Sequence, residues 1–346
     1  KTNVTTEGDE VKVSSSKMQF VFNKKSGLVT SYKVNGTEYF TEGFGIQPNF
    51  WRGPNDNDYG NGQPKREQIW KQSSKNFKVA DVITEADGNN TVLTANYLLA
   101  AGNLYIVKYT IYPDGVVHAD ITFTSTDMEE GKTEVSEATL MATFSPGQQE
   151  ARRAASKLVV PRIGVRFRLP ADMNQVEYFG RGPGENYIDR QRASHIDLYK
   201  TTADAMYTDN YVRPQENGHR TDTRWVELTR KNGKGLKIVA DQTIGFNALR
   251  NSVEDFDSEE AEGKLRQWNN FTPEEIASRS EEKAKDVLRH MTHINDITPR
   301  NFVEVCVDMK QQGVAGFNSW GDRPLAEHTM PANQEYKWGF TLIPVK

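Results

Sequence analysis

Charged residues of both signs are concentrated in two stretches near the middle of the chain. Six of them are candidates for mutual ion pairs, four in the first stretch and two in the second: Arg181, Glu185, Asp189, Arg190, Glu216 and Arg220. The carboxylates are candidates for acid–base chemistry, but a general acid must hold a proton, and a neighbouring guanidinium favours the ionised form. We therefore interpret the six as a loop-organising ion-pair network, and we predict no catalytic residue in this chain.

The first of these stretches is rich in glycine. Gly180, Gly182, Pro183 and Gly184 predict a tight loop in place of a continuous strand. Residues 211–225 repeat the combination of opposite charges and aromatic rings on a proline and glycine frame. One alternative is a solvated loop whose surface ion pairs contribute about 0–1 kcal/mol each. Because solvated loops seldom carry so many aromatic residues, we predict a packed network at the mouth of a β domain.

No group of residues has the spacing of a metal site. His290 and His293 lie three apart, without a signal for a third ligand. Residues 56–58, Asp-Asn-Asp, lack the glycine and the final glutamate of a twelve-residue calcium loop. We predict that they form an Asx-turn packed on Trp51 and Arg52. The expected metal content of this chain is therefore none.

The composition excludes several classes of protein. The net charge of −4 over 346 residues is spread evenly, so neither DNA nor RNA is an expected partner. The longest apolar runs have strand length, which predicts no membrane span. Cys306 is the single cysteine and lies in an apolar run, as a buried small hydrophobe does. We expect a soluble protein of the cytoplasm or periplasm, and because the chain begins at Lys1 we expect it to be part of a longer one.

The elements that position these residues are mostly strands. Alternating or apolar runs with turns between them predict an antiparallel all-β fold of more than a dozen strands. The clearest of the predicted strands, eleven in number, cover residues 18–22, 28–34, 92–100, 104–111, 116–125, 158–169, 176–179, 225–229, 236–240, 302–309 and 337–343. So many strands indicate a large sandwich of sheets.

One helical excursion is expected to interrupt the sandwich, over residues 251–299. Thr272 and Pro273 resemble the N-cap and first position of a helix, and an apolar 3–4 spacing follows them. The acidic run at residues 255–262 just before it predicts a solvated loop. We predict no other clear helix, apart from a short helical stretch at residues 65–71.

Four segments carry a family resemblance. We name them motif 1 (residues 49–60, with Trp-Arg-Gly-Pro-Asn-Asp-Asn-Asp), motif 2 (178–190, with Gly-Arg-Gly-Pro-Gly-Glu-Asn-Tyr-Ile-Asp-Arg), motif 3 (211–225, with Pro-Gln-Glu-Asn-Gly) and motif 4 (308–321, ending Asn-Ser-Trp-Gly). In this order they resemble the C-terminal domain, the "small chain" or domain 5, of glycoside hydrolase family 2 β-galactosidases.

This resemblance implies a fold and a function. The fold is a β-supersandwich of the galactose-mutarotase-like type, formed by residues 1–346 as one domain. The full enzyme would hydrolyse terminal β-D-galactosides such as lactose with retention, using two glutamates on a TIM barrel outside this chain. The isolated chain is then expected to be inactive, with the preceding domains and a galactoside as partners. We expect a homo-oligomeric full enzyme and no cofactor here, since a divalent cation of the full enzyme would bind outside this domain.

Motif 4 contains the residues expected to bind substrate: Trp320, Phe317 and Asn318. The resemblance implies that Trp320 reaches the active site of the barrel and stacks on the sugar on the aglycone side. The family commonly has Gly-Gly and an acidic or amide pair before Ser-Trp. Here Ala315 and Gly316 precede Phe317 and Asn318. A tryptophan on such a loop is otherwise a plug for the loop's own small core.

Two alternative functions remain open from the residues. One is a stand-alone aldose 1-epimerase, which needs an acid and a base near the anomeric carbon, and for which His195, His219 and His328 are candidates. The other is a stand-alone carbohydrate-binding module that uses Trp51, Trp268 and Trp338 as stacking platforms. Binding of galactose or lactose by the isolated domain would favour the second alternative.

Overall fold

Alternating apolar residues build two antiparallel β-sheets in the computed structural model, which describes residues 1–127, 135–257, 293–318 and 320–346. The described residues form 17 strands. The predicted all-β class with large antiparallel sheets is therefore confirmed. Phe20, Phe22 and the tyrosines of the facing strands are typical of a pleated surface that is buried on one side.

The smaller sheet has five strands in sequence order. They are β1 Asn3–Glu7, β2 Glu10–Ser14, β3 Met18–Asn23, β4 Val29–Val34 and β5 Thr37–Glu38.

The larger sheet has twelve strands. They are β6 Gln47–Asn49, β7 Lys78–Asp87, β8 Asn90–Leu98, β9 Leu104–Ile111, β10 Val117–Phe123, β11 Arg162–Pro170, β12 Gln175–Gly182, β13 His195–Thr202, β14 Arg220–Thr229, β15 Gly235–Leu249, β16 Phe302–Gln311 and β17 Tyr336–Val345. The main path runs in the order β13, β12, β14, β15, β17, β10, β9, β8, β7.

Strand β15 divides the larger sheet because its two halves pair with different neighbours. Its first part, from Gly235 to Ala240, pairs with β17, and its last part, from Gly245 to Leu249, pairs with β16. Strand β16 pairs in turn with β11, and β11 with β6. Motif 1 begins at the end of β6, and motif 4 begins within β16. This branch of the sheet therefore brings two distant parts of the sequence side by side.

The two sheets pack through aromatic rings. Phe20 and Phe22 point to the same face of β3, and their ring centroids lie 5.2 Å from that of Tyr109 and 6.3 Å from that of Tyr97. The hydroxyl of Tyr97 donates to the carbonyl of Gly27, which ties the smaller sheet to the larger one at 2.5 Å. Cys306 is buried in β16, as predicted.

The described residues include six α-helices, although one clear helix was predicted. They are α1 Asp56–Gly60, α2 Gln63–Arg66, α3 Gln68–Lys75, α4 Glu137–Thr143, α5 Pro146–Ala155 and α6 Ala203–Met206. All are short, so their apolar periodicity spans too few turns to be recognised in the sequence. Among the described residues, no helix has the length and apolar character to cross a bilayer.

The predicted insertion at residues 251–299 lies largely outside the described residues, including Thr272 and Pro273. Its described ends form short 3₁₀ helices, Val253–Phe256 and Ile294–Asp296. The prediction of a solvated acidic run is wrong at its start. Asp255 is buried. Its carboxylate tolerates burial because it accepts hydrogen bonds from the Nε of Arg300 at 2.8 Å and from the backbone N–H of Ser252.

The prediction that glycines end the strand before residue 180 is also wrong, because β12 continues to Gly182. A Cβ at Gly180 would lie 2.6 Å from the Oγ1 of Thr223, and one at Gly182 would collide with the hydroxyl of Tyr178. Glycine therefore serves here to let neighbouring side chains approach the strand closely, and the strand geometry itself is unbroken.

Candidate functional site

Motif 1 is joined to motif 4 by one buried arginine. The guanidinium of Arg52 donates through Nη2 to Asp58 at 3.0 Å, and Arg52 is fully buried. The same group donates to the backbone carbonyls of Gln312 at 2.8 Å and Gly313 at 3.0 Å. A guanidinium offers five donors in a fixed plane, so it can hold a carboxylate and two carbonyls at once. Arg52 therefore fixes where the chain leaves β16.

Helix α1 supplies the other half of this junction. Its N-cap is Asn55, whose side chain accepts from the backbone of Asp58, and Asp58 accepts in return from the backbone of Asn55. The predicted turn at residues 56–58, packed on Arg52, is thus present as a capping box. From motif 3, Arg213 lies 3.4 Å from the carboxylate of Asp56 and stacks over Tyr59.

Motif 2 holds motif 4 through Asp189. Its two carboxylate oxygens accept from the backbone N–H groups of Val314 at 2.9 Å and Ala315 at 2.8 Å. A Cβ at Gly313 would collide with this carboxylate, so only glycine permits the approach. Ala315 has a φ of 60°, in the left-handed region that favours glycine. The loop after β16 is therefore clamped on one side by Arg52 and on the other by Asp189.

Beneath the loop lies a buried cluster of charged residues. Arg162 donates to Glu216 of motif 3, and its Nε lies 3.1 Å from Asp308 at the start of motif 4. Burial raises the pKa of Asp308 to about 7; the charge of Arg162 lowers this pKa, and the negative charge of Glu216 raises it. Gln311 also donates to Glu216 at 3.2 Å. Motifs 3 and 4 therefore share one guanidinium.

Glu185 has the predicted arginine partner. Arg190 donates to it at 2.7 Å, and the hydroxyl of Tyr211 and the backbone N–H of Gly218 at 2.9 Å also donate to it. Burial, together with the charge of Glu185, raises the pKa of Tyr211 to about 12. Motifs 2 and 3 are joined here, as predicted.

The six predicted residues do not form one ion-pair network, because Arg190 and Glu185 are the pair that the structure brings together. Arg181 pairs with Asp222 at 2.7 Å, and Arg220 donates to the carbonyls of Gly218 and Pro183. Asp189 and Glu216 have the partners given above. The correction has a physical reason: irregular loops leave many backbone N–H and C=O groups without partners, and the charged side chains are used to bind them.

Motif 4 presents the predicted substrate-binding residues at the surface. The side chain of Trp320 is 89% exposed and that of Phe317 is 75% exposed. Asn318 plays a different part, since its Oδ1 accepts from the backbone of Trp320 at 2.8 Å. The backbone of Phe317 donates to Asp322 at 3.0 Å. These two hydrogen bonds between side chains and backbone close a compact turn. Asn318 thus positions the backbone of Trp320, while the two aromatic rings face solvent.

This turn is seated on helix α1. A Cβ at Gly60 would lie 2.7 Å from the Cα of Gly321, so the two backbones touch. Asn57 accepts from the N–H of Gly321 at 3.3 Å, and Asn61 donates to the carbonyl of Asp322 at 3.2 Å. Beside the turn, a cleft of about 260 Å³ is lined by Phe317, Asp189 and His328, among others. The exposed rings are therefore carried on a supported loop.

The arrangement is suited to apolar contact and carries little acid–base chemistry. Asp189 accepts from two N–H groups, Glu185 accepts from four donors including the hydroxyl of Tyr187, and Glu216 is buried against Arg162. Exposed tryptophan and phenylalanine rings offer broad, rigid surfaces on which the C–H faces of a sugar could be buried. The plug interpretation of Trp320 does not fit its exposure.

The histidines considered for an epimerase are found in different surroundings. His219 is 1% exposed, stacks on Tyr187 and lies 3.7 Å from Asp308, and burial lowers its pKa well below the ordinary value. His195 begins the outer strand β13, and His328 ends a short 3₁₀ helix, Ala326–His328. A side chain as enclosed as that of His219 cannot contact a sugar in this conformation.

Some residues that build the site were not singled out in the sequence. Arg162 and Asp222 lie far along the chain from their partners, so no local spacing identifies them. Arg52 was expected only to pack against the turn at residues 56–58, and its ion pair with Asp58, six residues later in motif 1, was not predicted.

Comparison with known proteins places these motifs in one family. The family described as beta galactosidase small chain matches residues 14–342. A beta-galactosidase of Priestia megaterium is 29% identical over 327 residues, which are 94% of this chain and 25% of that protein. A beta-galactosidase of Halalkalibacterium halodurans is 25% identical over 93% of this chain and 26% of that protein. The chain thus spans about a quarter of the length of these relatives.

Solved structures that align with this chain do so at low sequence identity. The galactose 1-epimerase of Lactobacillus acidophilus NCFM aligns with a TM-score of 0.43 and 8% identity, covering 99% of each chain. A galactose mutarotase-like protein of Lactobacillus casei aligns with a TM-score of 0.43 and 10% identity, covering 97% of this chain and 99% of that one.

Proposed function

This chain belongs to the beta galactosidase small chain family, and we propose that it is the C-terminal domain of a glycoside hydrolase family 2 β-galactosidase. In this proposal residues 1–346 form one domain, with residues 251–299 as an insertion. The full enzyme hydrolyses terminal β-D-galactosides such as lactose with retention. Its acid and nucleophile are glutamates of a TIM barrel outside this chain, and it works as a homo-oligomer.

The role proposed for this domain is to complete the sugar-binding site. The observation that supports it most directly is the exposure of Trp320, 89%, on a loop that all four motifs help to hold. Leaving an indole in water forgoes about 1.5–3 kcal/mol of apolar burial, yet the surrounding contacts keep it there. We propose that Trp320 stacks on the aglycone sugar, with Phe317 widening the apolar surface. This role requires no cofactor in this chain.

The test is the replacement of Trp320 by alanine in the full-length enzyme that contains this chain. Lactose binding should weaken by about 1–3 kcal/mol, the range for stacking of a ligand ring on an aromatic side chain. Hydrolysis of an activated aryl galactoside should be less affected in its bond-breaking step, because that substrate lacks the second sugar. The kinetic constants for both substrates are to be compared.

Leu198→Ala is a matched control, since Leu198 is also exposed but lies on the outer strand β13. It should leave the kinetics of both substrates unchanged. Unchanged lactose kinetics in Trp320→Ala, combined with a lower melting temperature, would show that the indole plugs the loop and does not bind sugar.

A further inference from the structure

A second cluster of residues with ligand chemistry lies on the larger sheet, away from the motif 4 loop. His118 and Asp120 are two apart in β10, so their side chains emerge on the same face. Asp241 belongs to β15, with β17 between the two strands. One potential ligand atom of each residue lies within 4.8 Å of those of the others. The sheet thus brings one imidazole and two carboxylates together.

Gly339 on the intervening strand makes this approach possible. It pairs with Asp120 across β10 and β17. Ala240 pairs with Phe340 on the other side, which places Asp241 next to Gly339. A Cβ at this position would collide with the carboxylate of Asp241. Because the middle strand has no side chain here, carboxylates from both flanking strands can reach over it.

The two carboxylates lie on opposite sides of the imidazole. Nε2 of His118 is 3.0 Å from Asp241 Oδ2, and Nδ1 is 3.6 Å from Asp120 Oδ2. A neutral imidazole carries a proton on one nitrogen only, so it can donate to one of the two carboxylates. The other carboxylate then faces a lone pair, which is unfavourable unless a cation lies nearby; Lys108 stands opposite Asp120 on β9 and lines the same cleft. A simple cross-strand hydrogen bond needs only one carboxylate.

We propose that His118, Asp120 and Asp241 form a site for a divalent transition metal, with zinc as the reference ion. One imidazole and two carboxylates carry the charge that balances a divalent cation, and imidazole favours zinc over calcium or magnesium. Ligands at about 2.1 Å from zinc lie about 3.4 Å apart in a tetrahedron, so the three ligand atoms, now within 4.8 Å of one another, must come closer by side-chain rotation for one ion to bind them all.

Three protein ligands would leave the fourth position of the metal open. That position adjoins a cleft of about 880 Å³, lined by Lys108, Gln242 and Thr243 among others. An open position that faces a cleft can accept water or an oxygen of a further ligand. No metal was expected in this chain from its residues, and the site proposed here is additional to any cation of the full enzyme.

The experiment is a zinc titration of the chain, purified in chelator and followed by calorimetry, with the bound metal measured after dialysis. The wild type should bind one zinc ion that His118→Gln and Asp241→Asn bind at least about tenfold more weakly. His195→Gln is the matched control, because His195 is an exposed histidine at the start of a different strand, and it should bind as the wild type does. Equal zinc affinity in His118→Gln and wild type would overturn the proposal. So would a wild type without saturable uptake at about 1 mM zinc.

A second measurement locates the ion without any substitution. Anomalous X-ray scattering at the zinc edge from crystals of the wild type should show a peak among the three side chains. A peak only elsewhere on the chain would overturn the assignment, even if the variants fold poorly.

Discussion

Replacement of Arg52 by methionine tests whether the loop that carries Trp320 is held by a buried guanidinium. Methionine keeps much of the length of the side chain but removes every donor. The substitution leaves the carboxylate of Asp58 buried without its cation, and it frees the carbonyls of Gln312 and Gly313. The perturbation therefore acts at the junction between motifs 1 and 4.

The magnitude follows from the burial of both partners. Breaking a buried ion pair by removal of one member costs about 3–5 kcal/mol, because the remaining charge is uncompensated. Each carbonyl left without a donor costs about 1–3 kcal/mol unless water enters, and such costs are not additive. We expect Arg52→Met to lower the free energy of unfolding by about 3–5 kcal/mol.

Urea unfolding of the chain at neutral pH is a suitable assay, since urea is uncharged and does not screen ion pairs. Asp58→Asn in the same background completes a double-mutant cycle, and the double variant should lose less than the sum of the single variants by more than about 1 kcal/mol. The control is Arg230→Met. Arg230 pairs with the exposed Asp172 at 2.8 Å and should contribute only about 0–1 kcal/mol. If Arg52→Met cost no more than this control, the junction would be a solvated contact and our reasoning would be wrong.

Three further predictions concern the same scaffold. Gly182→Ala should destabilise the chain by about 1–3 kcal/mol in thermal melts, because its Cβ would collide with Tyr178. Gly184→Ala, where no atom lies within 4 Å of a Cβ, should change little. The folded state holds a proton on Asp308, whose pKa is about 7, that the unfolded state releases near pH 4, so this group's contribution to stability falls as pH rises through that interval. Asp308→Asn should therefore gain stability relative to wild type between about pH 4 and 7, as measured by urea midpoints, and a constant difference would contradict this. Ala315→Gly should raise the free energy of unfolding by up to about 1 kcal/mol, since Ala315 has a φ of 60°; a loss would show that the loop tolerates alanine without strain.

Much of the sheet structure was predictable because strands with one buried face have a visible period. Residues 18–22, 104–111 and 302–309 alternate or are continuously apolar, and each lies within a strand. Six strands were missed: β1, β2, β5, β6, β7 and β13. The side chains of β1 and β13 are mostly exposed, so the sequence carries no apolar alternation there.

The motifs were also recognisable in the sequence, but their partners were not. Residue types at short range predicted that charged side chains hold loops, and Glu185 and Arg190, two members of the predicted network, do form a pair. The pairing of Arg162 with Glu216 and Asp308 depends on which strands lie side by side, and loop backbone groups compete for the same donors. Asp189 was expected to pair with an arginine and binds two backbone N–H groups instead.

By itself the sequence determined the all-β class, the family motifs and the aromatic residues of motif 4, because these depend on local period and local residue type. Only the tertiary structure decided that the indole of Trp320 faces solvent, since its exposure depends on the seating of the loop on α1 and on contacts from Arg52 and Asp189. Only the tertiary structure brought Asp241 to His118, across a strand that is distant in sequence from both. Strand order in a sheet is set by the packing of the whole core, and no short stretch of the chain contains that information.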